Sequence, residues 1–153
     1  MRLVHYPVEG ERDDTADGSD RADGDDTADG DDTDPATSER AHHVVATTVD
    51  VADTVVSQTR GLMFRRSIPD DYALAFRFDT TRTRDIHMLF VCFPIDAIWV
   101  ADGNVQRVER MRPWRSFARA RCDLLLELPA GSADDIVAGD RLVLETTASD
   151  SDR

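Results

Sequence analysis

The chain has 153 residues, which suits one domain with a core that is stable alone. It carries 31 acidic residues against 18 basic ones, all 18 of them Arg, for a net charge of −13. That balance makes nucleic acid a poor partner, because net repulsion opposes phosphate contact, and it suits a high-salt cytoplasm in which carboxylates keep the surface hydrated.

No apolar stretch of signal-peptide length opens the chain, and no run approaches the ~20 apolar residues of a membrane span. The expectation is a soluble cytoplasmic protein without a membrane partner. Two cysteines, Cys92 and Cys122, cannot build a disulfide framework. Both lie in apolar runs, so they are expected as buried free thiols.

Arg2–Tyr6 alternates and is rich in strand formers. Residues 9–41 then form a low-complexity segment of Asp, Gly, Thr and Ala, in which Asp-Asp-Thr-Ala-Asp-Gly occurs twice. The first 40 residues hold 14 acids and 4 Arg, so most of the chain's charge is here. Such a segment cannot bury enough apolar area to offset its ordering entropy and is expected to be disordered. Asp25, Thr27 and Asp29 before Gly30 look like half of a calcium loop, but Ala36 stands where a bidentate Glu is required.

From His42 the chain is β-branched and reads as a strand. Residues 54–60 read as a short helix that Gly61 stops with a left-handed residue. Leu74, Phe76 and Phe78 recur at every second position, which predicts a half-buried strand, followed by a polar loop over 79–84. Residues 86–93 are apolar on both alternating faces, the pattern of a strand covered on both sides. Pro94 marks a break, Ile95–Ala101 resumes as a strand, and Asp102-Gly103 reads as a tight hairpin turn. A return strand follows over 104–111, and Cys122–Leu128 and Arg141–Thr147 read as two more. Between those two, Ser132 can cap a second short helix that Gly139 ends. About seven strands and two short helices, linked at hairpin length, argue a mainly β domain: a single antiparallel sandwich or barrel.

Several short motifs occur in a fixed order. They are Arg60-Gly61-Leu62-Met63-Phe64-Arg65, then Met88, then Pro94-Ile95-Asp96 with Ile98-Trp99-Val100 and Asp102-Gly103. Leu126-Glu127-Leu128-Pro129-Ala130-Gly131 and Gly139-Asp140 follow. In these motifs the chain resembles the uncharacterised family called domain of unknown function 192, or UPF0127, over about residues 42–147, as an acidic, haloarchaeal-like member. The resemblance implies a small β fold of jelly-roll-like or barrel character and no agreed activity. It also implies that Arg2–Tyr6 is the domain's first strand, with the acidic segment inserted in the first hairpin and 148–153 as a tail. Where family members commonly carry Trp-Met-Lys-Asn, this chain has His87-Met88-Leu89-Phe90. Two polar positions are thus apolar, which weakens any chemistry resting on that Lys or Asn.

Asp96 is the first candidate for chemistry, because a carboxylate inside an apolar strand must be paired or hydrogen-bonded. It would serve a pocket near Arg65 or Arg60, or it would fix the bulge at Pro94 by accepting backbone N–H groups or an Arg. His87 offers a general base or a packed ring at the rim. Arg65-Arg66 and the stretch from Arg112 to Arg121 are the only basic concentrations, suited to an anionic ligand, to nucleic acid with Trp114 and Phe117 stacking, or to balancing the acidic surface. His42 and His43 point to opposite strand faces, and no Cys/His spacing fits zinc, so neither a metal nor a cofactor is expected. The expected function is a non-catalytic module for a small molecule or a protein, with a site near Arg65, His87, Asp96 and Trp114. The alternatives are an enzyme using Asp96 and His87 as an acid–base pair, and a structural protein with an apolar patch on a sheet face.

Overall fold

Eight strands form one sheet in the order β2-β1-β8-β6-β5-β7-β4-β3. They are β1 (Arg2–Tyr6), β2 (His43–Ala46), β3 (Thr48–Val51), β4 (Tyr72–His87), β5 (Ile95–Ala101), β6 (Asn104–Met111), β7 (Phe117–Pro129) and β8 (Arg141–Glu145). The computed structural model describes residues 1–8, 42–52 and 61–146. The expected disordered loop at 9–41, the first expected helix at 54–60 and the tail at 148–153 lie outside them.

Every ladder is antiparallel except β3 on β4, which is parallel, so the sheet is mixed and not a sandwich of two antiparallel sheets. The reason lies at Thr47. The run expected as one strand after His42 bends there, and its halves pair with opposite edges of the sheet: β2 with β1, and β3 with β4. Thr47 and Thr48 donate their N–H groups to the Asp71 carbonyl, which fixes the bend. The ladder stays open between β2 and β3, yet one residue joins its two edge strands. β1 (Arg2–Tyr6) pairs antiparallel with β2.

Strand alternation divides the interior into two apolar clusters. Ile95, Ala97 and Trp99 of β5 pack with Leu74, Phe76 and Leu125, while Ile98 and Val100 pack with Ala73, Ala75, Leu126 and Leu128. All eight strands supply a residue to the second cluster. The first cluster is covered by turns, through Leu62, Met88 and Val91. All seven residues of β5 are buried, so two-sided burial falls on β5.

Residues 86–93 are not the expected two-sided strand. β4 ends at His87, and the chain turns at Met88, whose carbonyl accepts the N–H of Val91. The turn leaves Leu89 and Phe90 exposed, and Cys92 is exposed while Cys122 is buried. The polar residues 79–84 continue β4 instead of forming a loop, at the cost of a register shift against β7 between Arg77 and Arg82. β7 begins earlier than expected, at Phe117. Residues 132–138 form successive turns, with Ile136 N–H donating to Ala133 O at 3.1 Å, and the described residues contain no helix. Asp102 and Gly103 both have positive φ, 52° and 79°, as a two-residue hairpin of this twist requires. Pro94 precedes β5 outside any ladder, and Gly131 and Gly139 sit in the turns between β7 and β8.

Candidate functional site

A buried carboxylate with one unpartnered oxygen lies beneath the turn at Gly61. Glu127 stands in β7 opposite Leu74 of β4 and Ala97 of β5. Its neighbours Leu126 and Leu128 face the second cluster, so alternation turns Glu127 toward the first. It is 6% exposed, and its Oε2 accepts no hydrogen bond. Burial pushes its carboxyl up to about 8, with the Arg65 charge pulling the other way.

The carboxylate borders a cavity of about 260 Å³ whose walls include Met63, Phe76, Phe78, Ile86 and Val91. Arg84 lines the same cavity, with its guanidinium carbon 4.0 Å from the centre of the Phe78 ring. The Arg84 Nε is buried and also lacks a partner. Among the described residues, these two are the buried side-chain polar atoms left unsatisfied, and both belong to one cavity. A second hollow beside it shares Gly61 and Met63 and adds Asp50, Arg65 and Leu74.

The residues singled out in the sequence do not converge. His87 is exposed and lines the first cavity, and Arg65 lines the second. Arg65 donates to the Tyr72 hydroxyl at 3.1 Å, which in turn donates to Asp50 at 2.9 Å. Burial and the Asp50 carboxylate hold the Tyr72 hydroxyl above the usual phenol range.

Asp96 borders neither cavity. Its Oδ1 accepts Arg110 Nε at 2.9 Å, and its Oδ2 accepts Arg110 at 3.2 Å and the N–H groups of Gly131 at 2.8 Å and Ala133 at 3.1 Å. Arg110 also bonds Asp134. Four donors occupy the carboxylate, which fixes the β7–β8 turn against β5. Trp114 stands 52% exposed on a turn. Met88 is fully buried core.

Glu127 carries the same signal as Asp96, a carboxylate within a leucine run. Arg84 gives no such signal, because its segment reads as a polar loop. The described residues bring together no group of three His, Cys, Asp or Glu side chains that could hold a metal.

Residues 36–144 match the model of the family DUF192, described as “Uncharacterized ACR”. The chain belongs to this family. A UPF0127 protein of Thermococcus sibiricus (strain DSM 12597 / MM 739) is 33% identical over 90 residues, covering 56% of this chain. The chain spans 57% of that relative's length. Two solved structures resemble the DUF192 fold seen here. One, titled a “putative transcription regulator” from Sinorhizobium meliloti 1021, is 27% identical with a TM-score of 0.62, over 70% of this chain and 87% of its own. The other, a protein of unknown function from Novosphingobium aromaticivorans DSM 12444, is 25% identical with a TM-score of 0.61, over 67% of this chain and 77% of its own. These relatives lend no support to a haloarchaeal origin.

Proposed function

We propose that this DUF192 protein is a non-catalytic small-molecule-binding domain, with the cavity beside Glu127 as its site. The observation that carries this reading is that both orphaned buried polar atoms, Glu127 Oε2 and Arg84 Nε, line one partly apolar cavity. A buried polar group without a partner costs free energy unless something supplies the missing bond. A ligand with an apolar body and a hydrogen-bonding group supplies it. The curled sheet then serves as a barrel-like wall behind the site. On this reading the protein works in a salt-rich cytoplasm, which suits its acidity and keeps its two thiols reduced.

The enzyme alternative rests on a different residue from the one expected. Asp96 has its oxygens occupied, whereas Glu127 combines burial, a cavity and a pKa of about 8, as a general acid or base would need. A transcription-regulator role by direct DNA contact is disfavoured by the net charge of −13. No described helix is long and apolar enough to cross a membrane.

The test is a thermal-shift screen of a metabolite library against wild type, Glu127→Gln and Arg84→Met. Compounds that raise the wild-type melting temperature should lose most of that shift in both variants. Hits indifferent to both substitutions would place binding elsewhere. Turnover of a hit by wild type, lost in Glu127→Gln, would favour the enzyme.

A further inference from the structure

Phe64, Phe90 and Trp114 have left-handed backbones, with φ of 65°, 62° and 64°. A bulky side chain is strained there, and glycine or asparagine would make the same turns with less conflict. The three turns are nevertheless locked together. Phe64 N–H donates to Phe90 O at 2.9 Å, Trp114 N–H donates to Met88 O at 3.0 Å, and Met88 N–H donates to Ser116 O at 3.0 Å. The Phe64 and Phe90 rings stack with centres 5.1 Å apart, and Phe90 meets Trp114 edge-on at 5.5 Å.

These rings are not core. Phe64 is 62% exposed and Phe90 43%, so strain here holds aromatic surface out in water. Leu89 and Phe117, on the same turns or at their edge, are exposed as well. Residues 61–69, 88–94 and 112–117 contain four Arg, all exposed, and not one of the chain's 31 acids.

We propose that this ridge of rings and arginines is a docking surface for an acidic polypeptide segment carrying apolar anchor residues. Aromatic and Arg side chains are the groups that concentrate binding energy at protein interfaces. Strained backbone that persists in a folded protein clusters where a surface is preorganised for function. The four positive charges select an acidic partner and repel a second copy of the same face. Residues 9–40 of this chain supply acids but no Val, Leu, Ile, Met or aromatic residue, so they lack the anchor. This surface is argued independently of the cavity.

The experiment pans a displayed library of short random peptides against the full chain and against the triple variant Phe64→Asn/Phe90→Asn/Trp114→Asn. Enriched peptides should combine Asp or Glu with Trp, Leu or Phe. They should bind the triple variant at least roughly tenfold more weakly and Arg112→Gln/Arg115→Gln more weakly in low salt. The triple variant should melt at the wild-type temperature or above, because asparagine relieves the left-handed strain. A lower melting temperature with unchanged peptide binding would make the rings a local core and overturn the proposal. So would enrichment of peptides without acids, no enrichment over the triple variant, or tighter binding to phosphatidylglycerol vesicles or oligo-dT than to the selected peptides.

Discussion

Gly61 lies against the Glu127 carboxylate: a Cβ placed on Gly61 would stand 3.5 Å from both Oε1 and Oε2. The contact is ordinary in length, so space alone does not demand glycine. The backbone does, with φ at +47°. Gly61→Ala is therefore expected to lower stability by about 1 kcal/mol or more, through left-handed strain. Its methyl also enters the rim shared by the two hollows, so it should weaken any ligand found there. Urea denaturation checks the first effect, and an increase in stability would show that position 61 does not need glycine.

The pH dependence of stability should carry the mark of Glu127. Its folded pKa is raised to about 8 from 4.5, so between those values the native state holds a proton that the unfolded chain has lost. Stability from this group therefore falls as pH rises from about 4.5 to about 8 and levels off above. Glu127→Gln removes the decline. Relative to wild type, the variant should gain on the order of a few kcal/mol across that window. Chemical denaturation at a series of pH values measures it, and parallel profiles for the two proteins would contradict the assignment.

Local chemistry was legible in the sequence where one strand or one turn decided the outcome. Asp102-Gly103 reads as a hairpin and is one, and Asp96 reads as a carboxylate that needs partners and has four donors. What could not be read depends on distant segments. The bend at Thr47 is fixed by the Asp71 carbonyl, and nothing in the residues around Thr47 announces that its two sides join opposite sheet edges. The apolar run at 86–93 misleads because a turn can also be apolar when Met88 and Val91 cover a cluster while Leu89 and Phe90 point outward. Glu127 was legible in kind. Its importance came from Gly61 and Arg84, brought to it by tertiary structure.

Asp96 should matter for stability and not for binding. Asp96→Ala strands the Gly131 and Ala133 N–H groups and releases Arg110. A loss of about 2–4 kcal/mol is expected, dominated by the backbone donors, of which Ala133 N–H is buried, because Arg110 is half exposed. Asp96→Asn keeps the volume and one acceptor and should cost less. If a ligand identified for the wild type bound Asp96→Asn more than tenfold more weakly at a temperature where the variant is folded, the purely structural role would be wrong.

Asp140 should set an acid limb. It accepts Val8 N–H at 3.0 Å, Val137 N–H at 2.9 Å and the buried His5 ring at 2.7 Å. Burial by itself raises a carboxyl, but these donors outweigh it and hold Asp140 below its ordinary value. Its contribution is thus present above the unfolded pKa and lost as pH falls through the lower folded one. Asp140→Asn should flatten the acid side of the stability curve, read by thermal melting from neutral pH downward. It should leave the Glu127 decline at higher pH in place.

The antiparallel pairing of β1 with β2 predicts that the acidic segment is dispensable for folding. His5 pairs with His43 and Val4 with Val44, so the strand ends flanking the insertion are adjacent. A short Gly/Ser turn replacing residues 9–39 can bridge them, and a shorter loop costs less closure entropy. The deletion also removes a net charge of −12 from one segment, which reduces self-repulsion at low salt. The shortened chain should melt cooperatively at high salt at the wild-type temperature or above, and depend less on salt than the wild type does. Loss of the cooperative transition would show that residues 9–39 contribute to the core.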